Sequence, residues 1–147
     1  MLLYLQSKAI DKDEYFYDSL LCLAEQNENG ALGFVINRPF ARTLNELQEF
    51  SFLPPFPLYE GGPVDSKHLY FIHRRPDLIE DGKAISEGIY LGGNFKHVVN
   101  AIAKKTLQPN DIRIFIGYCG WDAGDLENEM KQDAWQITEA DLFFGIL

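Results

Sequence analysis

Ser19-Leu20-Leu21-Cys22-Leu23-Ala24 and Ala31-Leu32-Gly33-Phe34-Val35-Ile36 are two near-continuous apolar runs, separated by a polar stretch that includes Gln26-Asn27-Glu28-Asn29-Gly30. Asn and Gly accept positive φ at little cost, so this stretch reads as a tight turn and the whole as a β-hairpin. The runs do not alternate with polar residues, which implies that both faces of the two strands are covered. A hairpin near the start means antiparallel neighbours, and that turns the reading away from a strict βαβ alternation.

Outward from the hairpin, Leu2 to Leu5 reads as a first strand and Asp11 to Glu14 as a charged loop. Thr43-Leu44-Asn45-Glu46 has capping-box spacing, and Leu44, Leu47 and Phe50 follow on one face, which predicts a short helix. Pro54-Pro55-Phe56-Pro57 stops it as a rigid connection. Further strands are expected at Leu58–Glu60, Leu69–His73 and Ile85–Leu91. Phe95, Val98, Val99, Ile102 and Ala103 have the spacing of an amphipathic helix opened by Gly93-Asn94. Ile112, Ile114 and Ile116 recur every second residue, as in a strand. Residues 122–133 read as an acidic helix, with Leu126 and Met130 inward and Glu127–Lys131 paired. Ala134–Thr138 and Asp141–Phe144 read as late extended segments. The sum is an α+β chain with much antiparallel sheet, and a doubly wound fold is the competing architecture.

The 147 residues fit one domain, 1–147, able to bury a core without disulfide or metal. Apolar residues at 46% and aromatics at 14% exclude a disordered chain. A formal charge of -9 argues against nucleic acid and anionic membranes as direct partners. The acidity is uneven: residues 120–147 hold seven acids and one base. No apolar run reaches the roughly 20 residues that span a bilayer, and Met1 to Leu5 lacks the basic flank of a signal peptide. Cys22 and Cys119 both lie in apolar runs and read as buried free thiols, which together predicts a cytoplasmic protein.

Several motifs bear on chemistry. Gly92-Gly93-Asn94-Phe95 joins a strand to the best helix, but it matches neither GxGxxG nor the P-loop, and a tight turn accounts for it. Gly117-Tyr118-Cys119-Gly120-Trp121 reads as a strand end before a helix, like a turn that presents a nucleophile. Trp121 stands where that pattern needs Gly, and all three histidines precede Cys119. His68 and His73 are five apart and face opposite sides of one strand, so no shared metal is expected. The basic cluster Lys67, His68, His73, Arg74 and Arg75 is bracketed by Asp65 and Asp77. Glu129 with Asp133, and Asp122 with Asp125, have the spacing of paired carboxylates, yet a solvated helix face explains them.

Asn29 through Pro39, Gly61-Gly62-Pro63-Val64, Gly117 through Glu129 and Trp135, taken in order, resemble the YqgE/AlgH family of small bacterial proteins. The resemblance implies one α+β domain whose mixed, largely antiparallel curved sheet forms a partial barrel flanked by helices. It implies no settled activity; some members carry a label of transcriptional regulator. Asp125 stands where the family usually has Gln, and Cys119 where it usually has a small residue such as Ala, which weakens a nucleophile role. The leading expectation is a non-catalytic protein that binds a protein partner or small ligand, with no cofactor and no metal. Its candidate surface joins Asn37, Arg38 and Pro39 with Gly61, Gly62 and Pro63, and with Gly117, Tyr118, Gly120, Trp121 and Gly124. Glu127 and Glu129 on the acidic helix would receive a basic partner. The alternatives are a regulator acting directly on DNA and an enzyme using Cys119 or a carboxylate pair.

Overall fold

The structure, a computed structural model, describes residues 2–143 and the backbone of 145–146. β1 (Leu3–Ser7), β2 (Leu20–Asn27) and β3 (Gly30–Val35) form an antiparallel meander. The expected hairpin is present. Asn27 pairs with Gly30, and Asn27 Oδ1 accepts the Asn29 N–H at 2.8 Å across the two-residue turn. Both faces of β2 are covered: Leu20, Cys22 and Ala24 pack with Phe34 and Phe115, while Leu21 and Leu23 pack with Val35 and Trp135.

The single helix expected over 43–50 is instead two 3-10 turns, Leu44–Glu46 and Gln48–Phe50, split at Leu47, whose backbone is extended. Glu46 Oε2 accepts the Thr43 N–H at 2.7 Å, so part of the capping signal is real. Leu44 N–H, however, donates to Phe56 O at 2.8 Å, tying the segment's start to the returning chain. With its start tied down, the segment gains more from burying Leu44 beside Leu53 and Phe56 than from continuing a marginal helix.

β4 (Tyr59–Glu60) and β5 (Val64–His73) follow. The one strand expected at 85–91 is a hairpin, β6 (Lys83–Ser86) and β7 (Ile89–Leu91), turned at Glu87-Gly88. α1 (Phe95–Ala103) matches its pattern, burying Val98, Ala101 and Ile102. Asn94 caps it, its Oδ1 accepting from Lys96 N at 2.9 Å and His97 N at 3.3 Å. After it come β8 (Ile112–Asp122), α2 (Asp125–Lys131), β9 (Trp135–Thr138), β10 (Ala140–Asp141) and β11 (Gly145–Ile146). Position 144, the end of the expected last strand, lies outside the described residues.

The strand order is β6-β7-β5-β8-β3-β2-β1-β9, with β4 beside β8. Among the described strand pairs only β4–β8 is parallel, so the doubly wound alternative falls. β8 organises the sheet. Its first half pairs with β5, and Cys119 to Asp122 pair with β3. Gly117 (φ +74) bends the strand where it passes from one set of partners to the other. Such a bend is how one strand serves two sheet halves and curls them into a partial barrel. α1 covers one side over Phe71, Ile112 and Ile114, and α2 covers another through Leu126. The fold is α+β, a curved and largely antiparallel half-barrel with two helices, as the resemblance implied. Among the described residues no helix is long and apolar enough to cross a membrane.

Candidate functional site

The Gly-rich segments do meet, but by closing on each other. Residues 117–121 are not a turn before a helix; they lie inside β8. Gly61 N–H donates to Ile116 O and Val35 N–H donates to Gly61 O, both at 2.9 Å. A Cβ on Gly62 would sit 2.2 Å from the Tyr118 carbonyl carbon, and one on Gly117 would sit 2.4 Å from Gly62 O. Backbone touches backbone here, with no cleft between. The sequence pattern marked a close approach of the β4–β5 connection to β8, which requires glycine for the same steric reason that a ligand cradle does.

Cys119 belongs to this junction. It is buried and free, and its Sγ donates to Gly61 O at 3.3 Å. Burial pushes its thiol up to about 12, and does the same to Cys22. A thiol so protonated is a poor nucleophile, and the strand geometry removes the exposed elbow the motif implied.

The other sequence-derived residues divide between structural bonds and open surface. Asn37 Oδ1 accepts from Leu20 N and its Nδ2 donates to Asp18 O, each at 2.9 Å. Arg38 donates to Tyr15 O and Ser19 Oγ at 2.8 Å and lies over the Tyr15 ring. Pro39 bridges to Tyr59. Tyr118 meets Tyr70 edge-on at 5.3 Å. Gly120 is exposed on β8 opposite Leu32, and Gly124 begins α2 in a left-handed conformation. Glu127 accepts from Gln26 Nε2 at 2.9 Å.

Glu129 is the most constrained of them. Its Oε2 accepts from Trp121 Nε1 and its Oε1 from Trp135 Nε1, both at 3.0 Å. Phe16 stacks near Trp121 and meets Trp135 edge-on at 5.2 Å. The expected acidic helix is shorter than 122–133, because Asp122 ends β8 and Asp133 lies past α2. Asp133 pairs with Lys8 at 2.8 Å, so Glu129 and Asp133 do not form a carboxylate pair. A depression of about 310 Å³ lies beside Trp121, Pro63 and Asp125.

A larger opening than this depression lies elsewhere. A groove of about 1050 Å³ runs between the two 3-10 turns and the first half of β5. Phe40, Phe50, Leu69, Phe71, Phe95 and Ile116 give it an apolar floor. Arg42, Glu46, Glu49, Glu60, Lys67 and His68 bring charge to it. Gly62 and Pro63 line it as well, so two members of the sequence-derived surface reach it. The pairing of β5 with β8 loses register between Val64 and Leu69, and this irregularity carries Lys67 and His68 to the rim. Asp65, at φ +53, stands at its start. Asp65 Oδ1 lies 2.5 Å from His68 Nδ1, and its other oxygen accepts the Tyr70 hydroxyl. Those two bonds, Tyr70 first, hold the Asp65 carboxyl below its ordinary value, while Asp65 pushes Tyr70 up to about 12.

The basic cluster read from sequence is therefore split. Lys67 and His68 reach the groove. Arg75 is held by Asp77 at 2.9 Å and Asp111 at 3.1 Å, and Arg74 lies over the Phe143 ring. His73 is fully buried farther along the strand, beside the Phe71 and Tyr90 rings, with Nε2 3.2 Å from Gly92 O and Nδ1 accepting from Arg75 N. The groove itself was missed by sequence reasoning. Leu44, Leu47 and Phe50 read as the inward face of a short helix, and the available signal was a helix too short to bury all of them.

A family model described as AlgH-like matches residues 3–144. A UPF0301 protein of Chlorobium chlorochromatii is 37% identical over 126 residues, which is 85% of this chain and 66% of that protein. A UPF0301 protein of Parabacteroides distasonis is 34% identical over 129 residues, 86% of this chain and 65% of the other. The chain thus spans just under two thirds of the length of these relatives. The solution structure of the AlgH protein from Pseudomonas aeruginosa is similar at a TM-score of 0.77 and 32% identity, over 97% of this chain and 80% of that one. A Corynebacterium diphtheriae protein solved by X-ray crystallography shares the fold at a TM-score of 0.71 and 14% identity, over 96% and 75% of the two chains. With its fold and nearly its whole length matched, the chain belongs to the AlgH-like family.

Proposed function

We propose that this chain is a non-catalytic cytoplasmic binding protein and that its ligand seats in the groove between residues 40–50 and Ser66–Leu69. One observation carries the reading: an opening of about 1050 Å³ with aromatic and aliphatic side chains at its floor and charged groups at its edge. Ligand sites combine concave apolar surface with a few polar groups that fix orientation, and this groove has both. The Gly61–Gly62 and Gly117 junction is the rigid frame behind it.

An enzyme built on Cys119 gains no support, since that thiol is buried and protonated. A direct DNA-binding role gains none from charge, because the cations at the groove alternate with three carboxylates. The test is a small-molecule fragment screen by ligand-observed NMR on two variants. Leu47→Arg places a charge in the groove, and Asp122→Lys alters the depression beside Trp121. Fragments that lose binding to Leu47→Arg and keep it to Asp122→Lys support the reading. The reverse pattern moves the site to the Trp121 face and overturns it.

A further inference from the structure

β5 outruns both of its neighbours. Its pairing with β8 lapses between Val64 and Leu69, and β7 pairs with it only at Ile72 and His73. Among the described residues, Asp65 to His68 therefore meet no strand on either side, and all four are exposed. The register fixes where the backbone of Leu69 points. Arg74 N–H donates to Asp111 O at 3.0 Å, so residues 70, 72 and 74 turn their N–H and C=O groups toward β8. Leu69, Phe71 and His73 turn theirs the other way, toward β7. There the last rung is Gly92 N–H on Phe71 O at 2.8 Å. Past it the chain leaves the sheet at Gly93 (φ +130) and enters α1. Among the described residues no strand stands opposite Leu69 on that side, and no hydrogen bond reaches its backbone there. An open row of backbone donors and acceptors is a template for another strand.

This edge opens into the groove, whose lining includes Ser66, Lys67, His68 and Leu69. In an added strand, the residue opposite Leu69 carries its side chain on the same face of the sheet as Leu69. That face also holds Phe71 and Ile116. The Phe95 ring lies 5.6 Å from Phe71 and 5.7 Å from Phe50, so an apolar side chain there meets aromatic rings. The charges of the lining favour one sign. Glu46, Glu49 and Glu60 outnumber Arg42 and Lys67. His68 Nδ1 is bound to the Asp65 carboxylate, which leaves Nε2 a lone-pair acceptor. A lining rich in acceptors and acidic in sum complements a chain that carries Lys or Arg.

Resting on the groove reading above, we propose that the groove takes an extended peptide segment of a partner protein. The segment adds a strand to the free edge of β5 at Leu69, in line with β7. It sets one apolar side chain among Phe50, Phe71 and Phe95 and carries Lys or Arg beside that anchor. Strand addition of this kind draws affinity from main-chain bonds and specificity from alternate side chains.

The probe is a phage-displayed library of short random linear peptides, panned on the wild-type protein. Enriched peptides are synthesised and titrated against wild type, Leu47→Arg and Glu49→Lys, each variant checked to be folded by its melting transition. Each peptide is also remade with its backbone N–H groups replaced one at a time by N-methyl. The expected peptides are apolar and basic. N-methylation at every second position weakens them about tenfold and spares the positions between. The Leu69 amide exchanges more slowly in the complex, Leu47→Arg abolishes binding, and Glu49→Lys weakens it about fivefold. Peptides that need Leu47 but tolerate N-methylation throughout, or leave Leu69 exchange unchanged, overturn strand addition while the groove reading stands. Enrichment of acidic peptides overturns the charge assignment. No enriched peptide means that Lys67 and the irregularity only blunt the edge, which overturns this inference and leaves the groove reading to the fragment screen. Peptides that survive Leu47→Arg and shift the resonances of Gly120 to Glu129 overturn both.

Discussion

Two regions flank the first half of β8 and β5, and they differ in how they use chain. At the junction of Gly61, Gly62 and Gly117 the backbones touch and nothing enters. At the groove the same strands present Leu69, Phe71 and Ile116 under a cover that stops short. The junction is rich in the residues that usually announce a binding loop, and the groove is lined by residues that usually announce a core. The difference teaches that glycine records close approach, whatever does the approaching. Here another strand takes the place that a phosphate or a substrate takes elsewhere.

The largest expected effect follows from that contact. Gly62→Ala places a Cβ within 2.2 Å of the Tyr118 backbone, and Gly117→Ala adds a left-handed penalty to a 2.4 Å clash with Gly62 O. Each should cost about 4 kcal/mol or more, or prevent folding. Gly120→Ala, on the same strand but facing only the Tyr118 ring at 3.3 Å, should cost under about 1 kcal/mol. Urea unfolding of the three variants measures this. Equal losses would show that the junction is not specially tight.

Next comes the indole clamp. Glu129→Ala leaves two indole N–H groups without their acceptor, one of them on buried Trp135, and should cost about 2–4 kcal/mol. Glu129→Gln keeps one acceptor oxygen and should lose less. A stable Glu129→Ala protein, with unchanged Trp fluorescence, would return Glu129 to the role of a free surface acid.

A smaller effect is set by pH. Burial holds His73 below 6.5, the Gly92 carbonyl only partly offsetting it. The folded state therefore resists a proton that the unfolded chain accepts. Stability is full above about pH 6.5 and falls as pH drops toward the folded value, by at most about 1.4 kcal/mol per pH unit from this group. His73→Gln should flatten the fall in that window. Melting temperature against pH for both proteins checks it.

How far the sequence carried is clear from particular residues. The Asn27–Gly30 turn, the α1 spacing and the Asn94 cap were legible because each is local: a few side chains decide the backbone within one turn. The run of β8 past Gly117 was not, since a glycine at a bend and a glycine at a strand end look alike until the partner strand is known. The role of Glu129 was hidden because Trp121 and Trp135 lie eight residues before it and six after it, on different elements. Of the surface read from sequence, Gly62 and Pro63 line the groove, while Asn37, Arg38, Gly117 and Glu129 serve the frame. The groove needs the 3-10 turns to fold away from helix geometry, and their reason lies in the distant Phe56 carbonyl.

The smallest expected effect on stability sits at the groove. Leu47 is half-buried at its wall, so Leu47→Arg should change unfolding free energy by under about 1 kcal/mol. That separation of stability from binding allows the central claim to be tested directly. Backbone amide shifts are followed while phenylnaphthylamine is titrated into the wild-type protein. The account predicts that the moving resonances are those of Leu47 to Phe50, Ser66 to Leu69 and Phe95. Shifts confined to Gly120 through Glu129, or none at saturating probe, would contradict it.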